Sequence, residues 1–218
     1  MPQPIHTVSP DAIGVWLTLV GFGAYHGLNP AMGWLFALAW GLQRKSDGAI
    51  WLALVPIAAG HALSIALAAI GILALQAFVS LEMLQWATAA LLIAFGVYKL
   101  INWYRHPRWV GMHVQWHELA IWSFLMATAH GAGLMVASPL LGVMSMHGPD
   151  AMPHAAGLDM GLAVGLHTAS MLITMAVVAW VVYRKLGLMV LRKGWINFDL
   201  IWSVALLLVG GVTLLGVL

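Results

Sequence analysis

The chain has 218 residues, of which 62% are hydrophobic and only 7% are charged. Soluble domains carry about 25% charged residues, so this composition excludes an ordinary soluble domain and predicts a protein that lies almost entirely within a membrane. The formal net charge is +2, and the basic residues are too few and too scattered to form a nucleic-acid-binding face. There is no cysteine, which excludes disulfides, thiolate metal sites and thiol redox chemistry.

The charged residues divide the chain into six apolar segments, each a candidate transmembrane helix. These segments run between charges at positions 11 and 44, 47 and 82, 82 and 99, 118 and 150, 159 and 184, and from 199 to the C-terminus. The first contains Gly27-Leu28-Asn29-Pro30 near its middle, where a break is expected because proline lacks an N–H donor. The third is short for a crossing, so Glu82 and Lys99 are expected at the membrane interface.

The basic residues predict the orientation of these helices. They follow the first, third and fifth segments, whereas the N-terminal tail, the C-terminus and the other long loops contain none. Because Lys and Arg accumulate in cytoplasmic loops, this pattern predicts an inner (cytoplasmic) membrane protein with both termini on the outer side. The N-terminus has no basic region or cleavage site typical of a signal peptide.

Four histidines lie inside the predicted helices, and their surroundings repeat. His26-Gly27 recurs as His130-Gly131, and the pair His61 and Ser64 recurs as His167 and Ser170, while the third helix of each half has no histidine. We therefore predict one all-α transmembrane domain (1–218) of two three-helix repeats, about residues 11–105 and 117–218. An odd number of helices per repeat places the second copy in the opposite orientation, which is the inverted-repeat fold typical of secondary transporters.

Ionisable side chains at membrane depth usually face the bundle interior and indicate a functional site. Neutral imidazoles bind Ni, Co, Cu, Zn and Fe, so we predict a central metal site formed by His26, His61, His130 and His167. Four polar residues are close enough in sequence to orient the rings: Asn29, Ser64, Thr128 and Ser170. The alternative is that each histidine is a structural residue that ties helices together through hydrogen bonds.

Two histidine-containing clusters lie in predicted loops. On the outer side, thioether, imidazole and carboxylate donors that could capture a metal ion occur at Met146, His147, Asp150, Met152 and His154. On the cytoplasmic side, His113 and His117 have the i, i+4 spacing of a helical chelating pair. Ordinary interfacial loops are the alternative for both. His-Glu-x-x-His, Walker A and dinucleotide-binding patterns are absent, which argues against a zinc protease and an ATP-driven pump.

The first helix, with Gly23-Ala24-Tyr25-His26-Gly27-Leu28-Asn29-Pro30, resembles the histidine-and-proline motif of the nickel/cobalt transporter families (the NicO and HupE/UreJ-like groups) of the LysE-type superfamily. The resemblance implies six or so helices in three-helix repeats, intramembrane histidines and nickel or cobalt as cargo. Residue by residue it extends only to His26 and its neighbours Asn29 and Pro30. The thiol-dependent reductases of the same superfamily are excluded by the lack of cysteine.

Three functions are consistent with the sequence. The first is a transition-metal transporter rather than an enzyme, with the metal ion and the lipid bilayer as partners and a homo-oligomer or membrane complex as its assembly. The second is a membrane haem protein in which the intramembrane histidines are axial ligands. The third is a non-catalytic subunit of a membrane complex, whose polar residues only hold helices together.

Overall fold

A computed structural model of the protein describes residues 10–102, 115–145, 153–186 and 197–217. Within these ranges the chain is helical and contains no strand. The elements in chain order are α1 (Pro10–Leu28), a 3₁₀ turn (Pro30–Met32), α2 (Trp34–Arg44), α3 (Asp47–Gln76), α4 (Leu81–Ile101), α5 (Trp116–Ala129), α6 (Ala132–Ser145), α7 (Pro153–Val181) continued by a π-helical turn (Val182–Leu186), and α8 (Phe198–Leu215).

Several of these helices could span a membrane, as the composition predicts. Within the described ranges, three apolar helices are long enough: α3, α4 and the Gly157–Lys185 segment of α7 with its π turn. A fourth crossing results if the bent pair α5–α6 is counted as one. The apolar parts of α1 and α8 are shorter, at Ile13–Leu28 and Leu200–Leu215. Length and composition therefore support three or four spans, fewer than the six that the charge pattern predicts.

The short third segment forms a full-length helix because its flanking charges are included in it. Glu82 lies in the first turn of α4 and Lys99 in the last, so the helix has 21 residues. The Ser80 hydroxyl accepts a hydrogen bond from the Met83 N–H at 3.2 Å, which satisfies one of the free donors at the helix start.

The expected break in the first segment is confirmed, and its cause is local. α1 ends at Leu28, and the Asn29 side chain accepts a hydrogen bond from the Ala31 N–H at 3.0 Å, which caps the 3₁₀ turn. Gly33 then adopts φ +134°, a conformation that L side chains rarely reach, before α2 begins. The Trp34 indole N–H donates to the Leu28 carbonyl at 3.0 Å, so the carbonyl at the end of α1 is also bonded.

A second break separates α5 from α6, which are bent by 68° relative to each other. It falls at His130 and Gly131, and Gly131 has φ +71°. The His130 carbonyl accepts a hydrogen bond from the indole N–H of Trp202 in α8 at 2.5 Å. A His-Gly pair therefore marks a helix break in each half, just before the break in the first half and at the break in the second.

Glycines let the helices pack in close pairs, α1 with α7, α3 with α5, and α4 with α8. Gly23 and Gly27 place α1 directly against the backbone of α7, because a Cβ at either position would overlap a carbonyl oxygen of that helix. Gly60 of α3 is packed in the same way against Ala120 of α5, and Gly210 of α8 lies against α4. These contacts set which helix faces meet in the interior.

The outer surface of the bundle is strongly apolar. Leu17, Ile70, Ile173 and Leu208 are each at least 60% exposed, and many other large hydrophobic side chains lie on the same outward faces. An apolar surface of this extent is expected for a protein surrounded by lipid rather than by water.

Candidate functional site

Three of the four predicted site histidines meet in the centre of the bundle. His26 of α1, His61 of α3 and His167 of α7 are all fully buried, with 0% exposure. The His26 ring centroid lies 4.9 Å from that of His167 and 5.6 Å from that of His61, and the His61 and His167 rings stack at 5.6 Å. The three rings are hereafter called the histidine cluster.

Backbone carbonyls orient two rings of the histidine cluster. His26 Nδ1 lies 2.7 Å from the Phe22 carbonyl oxygen, one turn earlier in α1. His167 Nδ1 lies 3.2 Å from the Leu19 carbonyl oxygen, across the α1–α7 contact. Because a carbonyl oxygen can only accept, Nδ1 carries the hydrogen in both rings, and in the neutral imidazole Nε2 then carries a lone pair.

The third ring contacts its neighbour directly. His61 Nε2 lies 3.5 Å from His167 Nε2. Since His167 Nε2 carries a lone pair, His61 Nε2 is the donor of this bond. Two ring nitrogens of the cluster, His26 Nε2 and His61 Nδ1, are buried without a hydrogen-bond partner. Unpaired polar atoms in a buried position are costly, so their retention needs an explanation.

His130 contacts the cluster through Trp202. It is 5% exposed, and its Nδ1 bonds the Met126 carbonyl oxygen at 3.0 Å, one turn earlier, as His26 does in the first half. The Trp202 ring lies edge-on to His130 at 5.9 Å and to His26 at 4.5 Å, and it stacks on Tyr25 at 5.3 Å. The structure therefore assembles three of the predicted ligands and places an indole in contact with the fourth.

The polar residues predicted to orient the rings form other hydrogen bonds in this structure. Ser64 and Thr128 bond each other at 3.0 Å between α3 and α5, and Ser170 donates to the Val20 carbonyl at 2.8 Å between α7 and α1. Asn29 caps the 3₁₀ turn. Sequence reasoning missed both the carbonyls that bond the ring nitrogens and Trp202. No sequence signal indicates a particular carbonyl, but a tryptophan within an apolar segment was a signal for Trp202.

The two loop clusters are mostly outside the described residues. His117 lies in the first turn of α5 and is exposed, and the backbone of His154 lies at the start of α7. The other predicted loop ligands, all outside the described residues, are His113, Met146, His147, Asp150 and Met152. Metal capture by either loop stays a prediction.

In the part of the chain that the structure describes, no group of three or more His, Cys, Asp or Glu side chains is arranged to hold a metal ion. The histidine cluster would therefore have to reorient at least one ring to bind an ion through all three members. No protein-family model matches the chain, and neither a curated protein nor a solved structure matches it significantly.

Proposed function

We propose that this protein is an integral membrane transporter of a transition-metal ion, with the histidine cluster as its central binding site and His130 as a further ligand along the pathway. The proposal includes six membrane crossings, in which α1–α2 and α5–α6 each form one broken crossing, and two inverted three-helix repeats. The metal ion is the cargo rather than a resident cofactor.

The observation that carries the proposal is the distance between His61 Nε2 and His167 Nε2, which is 3.5 Å. Metal–imidazole bonds are about 2.0–2.1 Å long, so two nitrogens on one tetrahedral ion lie roughly 3.4 Å apart. The two nitrogens are thus already separated as two ligands of one ion would be. A change of tautomer that moves the His61 proton from Nε2 to the unpaired Nδ1 would free both Nε2 lone pairs for that ion and keep the ring neutral.

The protonation pattern of His26 also favours metal binding. Metal-bound histidines commonly donate the other ring N–H to a carbonyl, which fixes the tautomer and directs the free nitrogen toward the ion. His26 has this arrangement, and its Nε2 is buried without a partner. A rotation of this ring would add a third nitrogen and satisfy an atom that is otherwise unpaired.

The helix pairing supports inverted repeats. α1 packs on α7 and α3 on α5, so the first helix of each half contacts the histidine-bearing second helix of the other, while the third helices α4 and α8 pair together. A serine joins each mixed pair, since Ser170 donates to the Val20 carbonyl and Ser123 to the Ile57 carbonyl, both at 2.8 Å. This reciprocity is expected for two halves related by a two-fold axis in the membrane plane.

The positions of charge support the orientation with both termini outside. Arg184, at the end of α7, forms an ion pair with Asp47, at the start of α3, and Arg44 and Lys45 precede Asp47 directly. One end of the bundle thus collects basic residues from both halves, as a cytoplasmic face does.

A haem with His61 and His167 as its two axial ligands is less consistent with this geometry. Two axial histidines must stand on opposite faces of a macrocycle, whereas the nitrogens of His61 and His167 are in direct contact. A purely structural role is also less consistent, because two ring nitrogens of the cluster bond nothing.

The test is metal uptake by the full-length protein reconstituted in liposomes, with Ni(II), Co(II), Zn(II) and Cu(I) or its redox-inert analogue Ag(I) as ions. We expect His26→Ala, His61→Ala and His167→Ala each to abolish uptake, and Glu82→Gln, at an exposed position in the first turn of α4, to leave it unchanged. Size-exclusion profiles check that the variants fold. Uptake that persists in all three folded cluster variants would falsify the proposal, and a Soret band in the purified protein would favour haem.

A further inference from the structure

We infer that the cargo of the histidine cluster is a soft monovalent cation, Cu(I), and that buried methionine thioethers next to the cluster are its further ligands. The inference rests on the proposed function and adds the identity of the ion. Its two supports are the charge of the site and the chemistry of the side chains around it.

The first support is the charge of the site, since every ligand in the histidine cluster is neutral. The acidic side chains that the structure describes lie elsewhere: Asp47, Glu82 and Glu118 are in the first turns of their helices. Asp159 precedes His167 by eight residues, about 12 Å along α7. None of the four is placed to neutralise an ion at the cluster.

A neutral site in a membrane favours a low ionic charge. The Born cost of burying an ion grows with the square of its charge, so a divalent cation costs about four times as much as a monovalent cation of the same size. A site for Ni(II), Co(II) or Zn(II) at this depth would be expected to include a carboxylate. A monovalent ion does not require one.

The second support is a group of methionines beside the cluster. On α7, Met171 follows His167 by one helical turn and Met175 by two, and both are fully buried. Met32 and Met135 are also buried, at 1% exposure, and all four methionines belong to the hydrophobic cluster that contains Trp202. The Trp202 ring centroid lies 4.5 Å from that of His26, so the hydrophobic cluster that contains these methionines reaches the histidine cluster. Met171, one helical turn from His167, is the methionine placed beside it on α7.

Thioether and imidazole together form a donor set that selects Cu(I). Thioethers are soft ligands that bind Cu(I) well and hard or borderline divalent ions poorly. His167, Met171 and Met175 follow one another along α7 toward Arg184 and Lys185, the basic end of the bundle. An ion that exchanges ligands along this series would move between the histidine cluster and that end.

The experiment compares ions and variants in the purified full-length protein. Cu(I) and Ag(I) are titrated under anaerobic conditions against a competing chelator, with Ni(II), Co(II) and Zn(II) in parallel. We expect the double variant Met171→Leu/Met175→Leu to weaken Cu(I) binding by at least about tenfold, the range typical of losing a metal-site contact. The matched control is Met144→Leu/Met160→Leu, two methionines buried in the other hydrophobic cluster. We expect the control to bind as the wild type does, since exchange of Met for Leu nearly conserves volume.

A spectroscopic measurement keeps the test independent of protein stability. In Cu(I)-loaded protein labelled with selenomethionine, X-ray absorption at the copper edge should show a selenium neighbour, which the Met171→Leu/Met175→Leu variant should lose. Binding and uptake of divalent ions without Cu(I) or Ag(I) would overturn this inference and leave the proposed function standing. Cu(I) binding with no selenium neighbour and no effect of the double variant would also overturn it. Failure to bind or transport any ion would instead reject the proposed function.

Discussion

A His-Gly pair marks the helix break in each half, at His26 and at His130, but the two breaks are stabilised in different ways. In the first half every stabilising group is local: Asn29 caps the 3₁₀ turn, and the Trp34 indole donates to the Leu28 carbonyl six residues earlier. In the second half the equivalent indole comes from Trp202 in α8, at the far end of the chain. The first break is therefore stabilised by residues close to it in the sequence, whereas the second depends on the packing of another helix.

The glycines of the two His-Gly pairs, Gly27 and Gly131, are also needed for different reasons. Gly27 lies against the α7 backbone, where a Cβ would come within 2.5 Å of the Met171 carbonyl oxygen. Gly131 has a positive φ and faces the Phe95 ring. One glycine is needed for close approach of two backbones and the other for its conformation, although the sequence around them is alike. The two histidines also differ in position: His26 belongs to the cluster directly, whereas His130 contacts it through Trp202.

The largest expected effect on stability is that of Gly27→Ala. The added methyl would overlap the α7 backbone, which cannot move as a side chain can, so we expect about 3 kcal/mol or more of destabilisation and separation of His26 from His167. Gly131→Ala should cost less, about 1–2 kcal/mol for its positive φ, because the Phe95 ring that its Cβ would meet is a side chain that can shift. Thermal unfolding in detergent measures both, with Gly21→Ala as the control because nothing lies within 4 Å of a Cβ there. A greater loss for Gly131→Ala than for Gly27→Ala would contradict the comparison.

The next largest loss of stability is expected on removing an indole that donates to a carbonyl at a helix break. The loss should differ between Trp202 and Trp34. Trp202→Phe removes the hydrogen bond to the carbonyl of His130, a residue only 5% exposed, so we expect a loss of about 1–3 kcal/mol from an unsatisfied buried acceptor. Trp34→Phe should cost less, because the bond of Trp34 to the Leu28 carbonyl is only partly buried, whereas that of Trp202 to the His130 carbonyl is buried. Thermal unfolding of the two variants measures the difference. Equal losses would mean that both breaks depend on their indole to the same extent.

A smaller effect is expected for the cap of the first break. Asn29→Ala removes the acceptor for the Ala31 N–H and should destabilise the protein by about 1 kcal/mol. Asn29→Ser retains a capping oxygen and should restore most of that loss. If serine is no better than alanine in thermal unfolding, the cap does not stabilise this break.

The smallest loss of stability is expected for the ion pair between Arg184 and Asp47. It joins α7 and α3 at the end of the bundle where basic residues collect. The ion pair between Arg184 and Asp47 is exposed to water on the arginine side, and exposed pairs contribute about 1 kcal/mol or less. Arg184→Gln should therefore lower stability only slightly, and the loss should shrink further at high salt. A loss as large as that of Gly27→Ala would show that this pair, and not the glycine contacts, holds the halves together.

Local physical rules explain what the sequence could predict of the fold. A run of apolar residues forms a helix in a membrane because each backbone group must be bonded internally, and Pro30 ends α1 because it lacks a donor. Burial of the four histidines was predictable for the same reason, since ionisable groups avoid lipid. The number of crossings was less predictable, because α1 and α8 are shorter than their uncharged segments suggest.

The candidate site was predictable only as a set of residue types. Which histidines meet depends on the rotation of α1, α3 and α7 about their axes, and that rotation is set by the contacts of Gly23, Gly27 and Gly60 with facing backbones. The carbonyls that bond the ring nitrogens lie on every helix and carry no sequence signal. The role of Trp202 likewise depends on where α8 packs.

The sequence by itself determined that this protein is helical and strongly apolar, that its first helix breaks after His26, and that its apolar segments contain imidazole groups and no thiols. Only the tertiary structure decided that three histidines converge, that two of their nitrogens come within 3.5 Å, and that the fourth histidine contacts them through an indole. The physical reason is that hydropathy and proline act within one segment, whereas ring-to-ring geometry is set by close packing between helices that are distant in the chain.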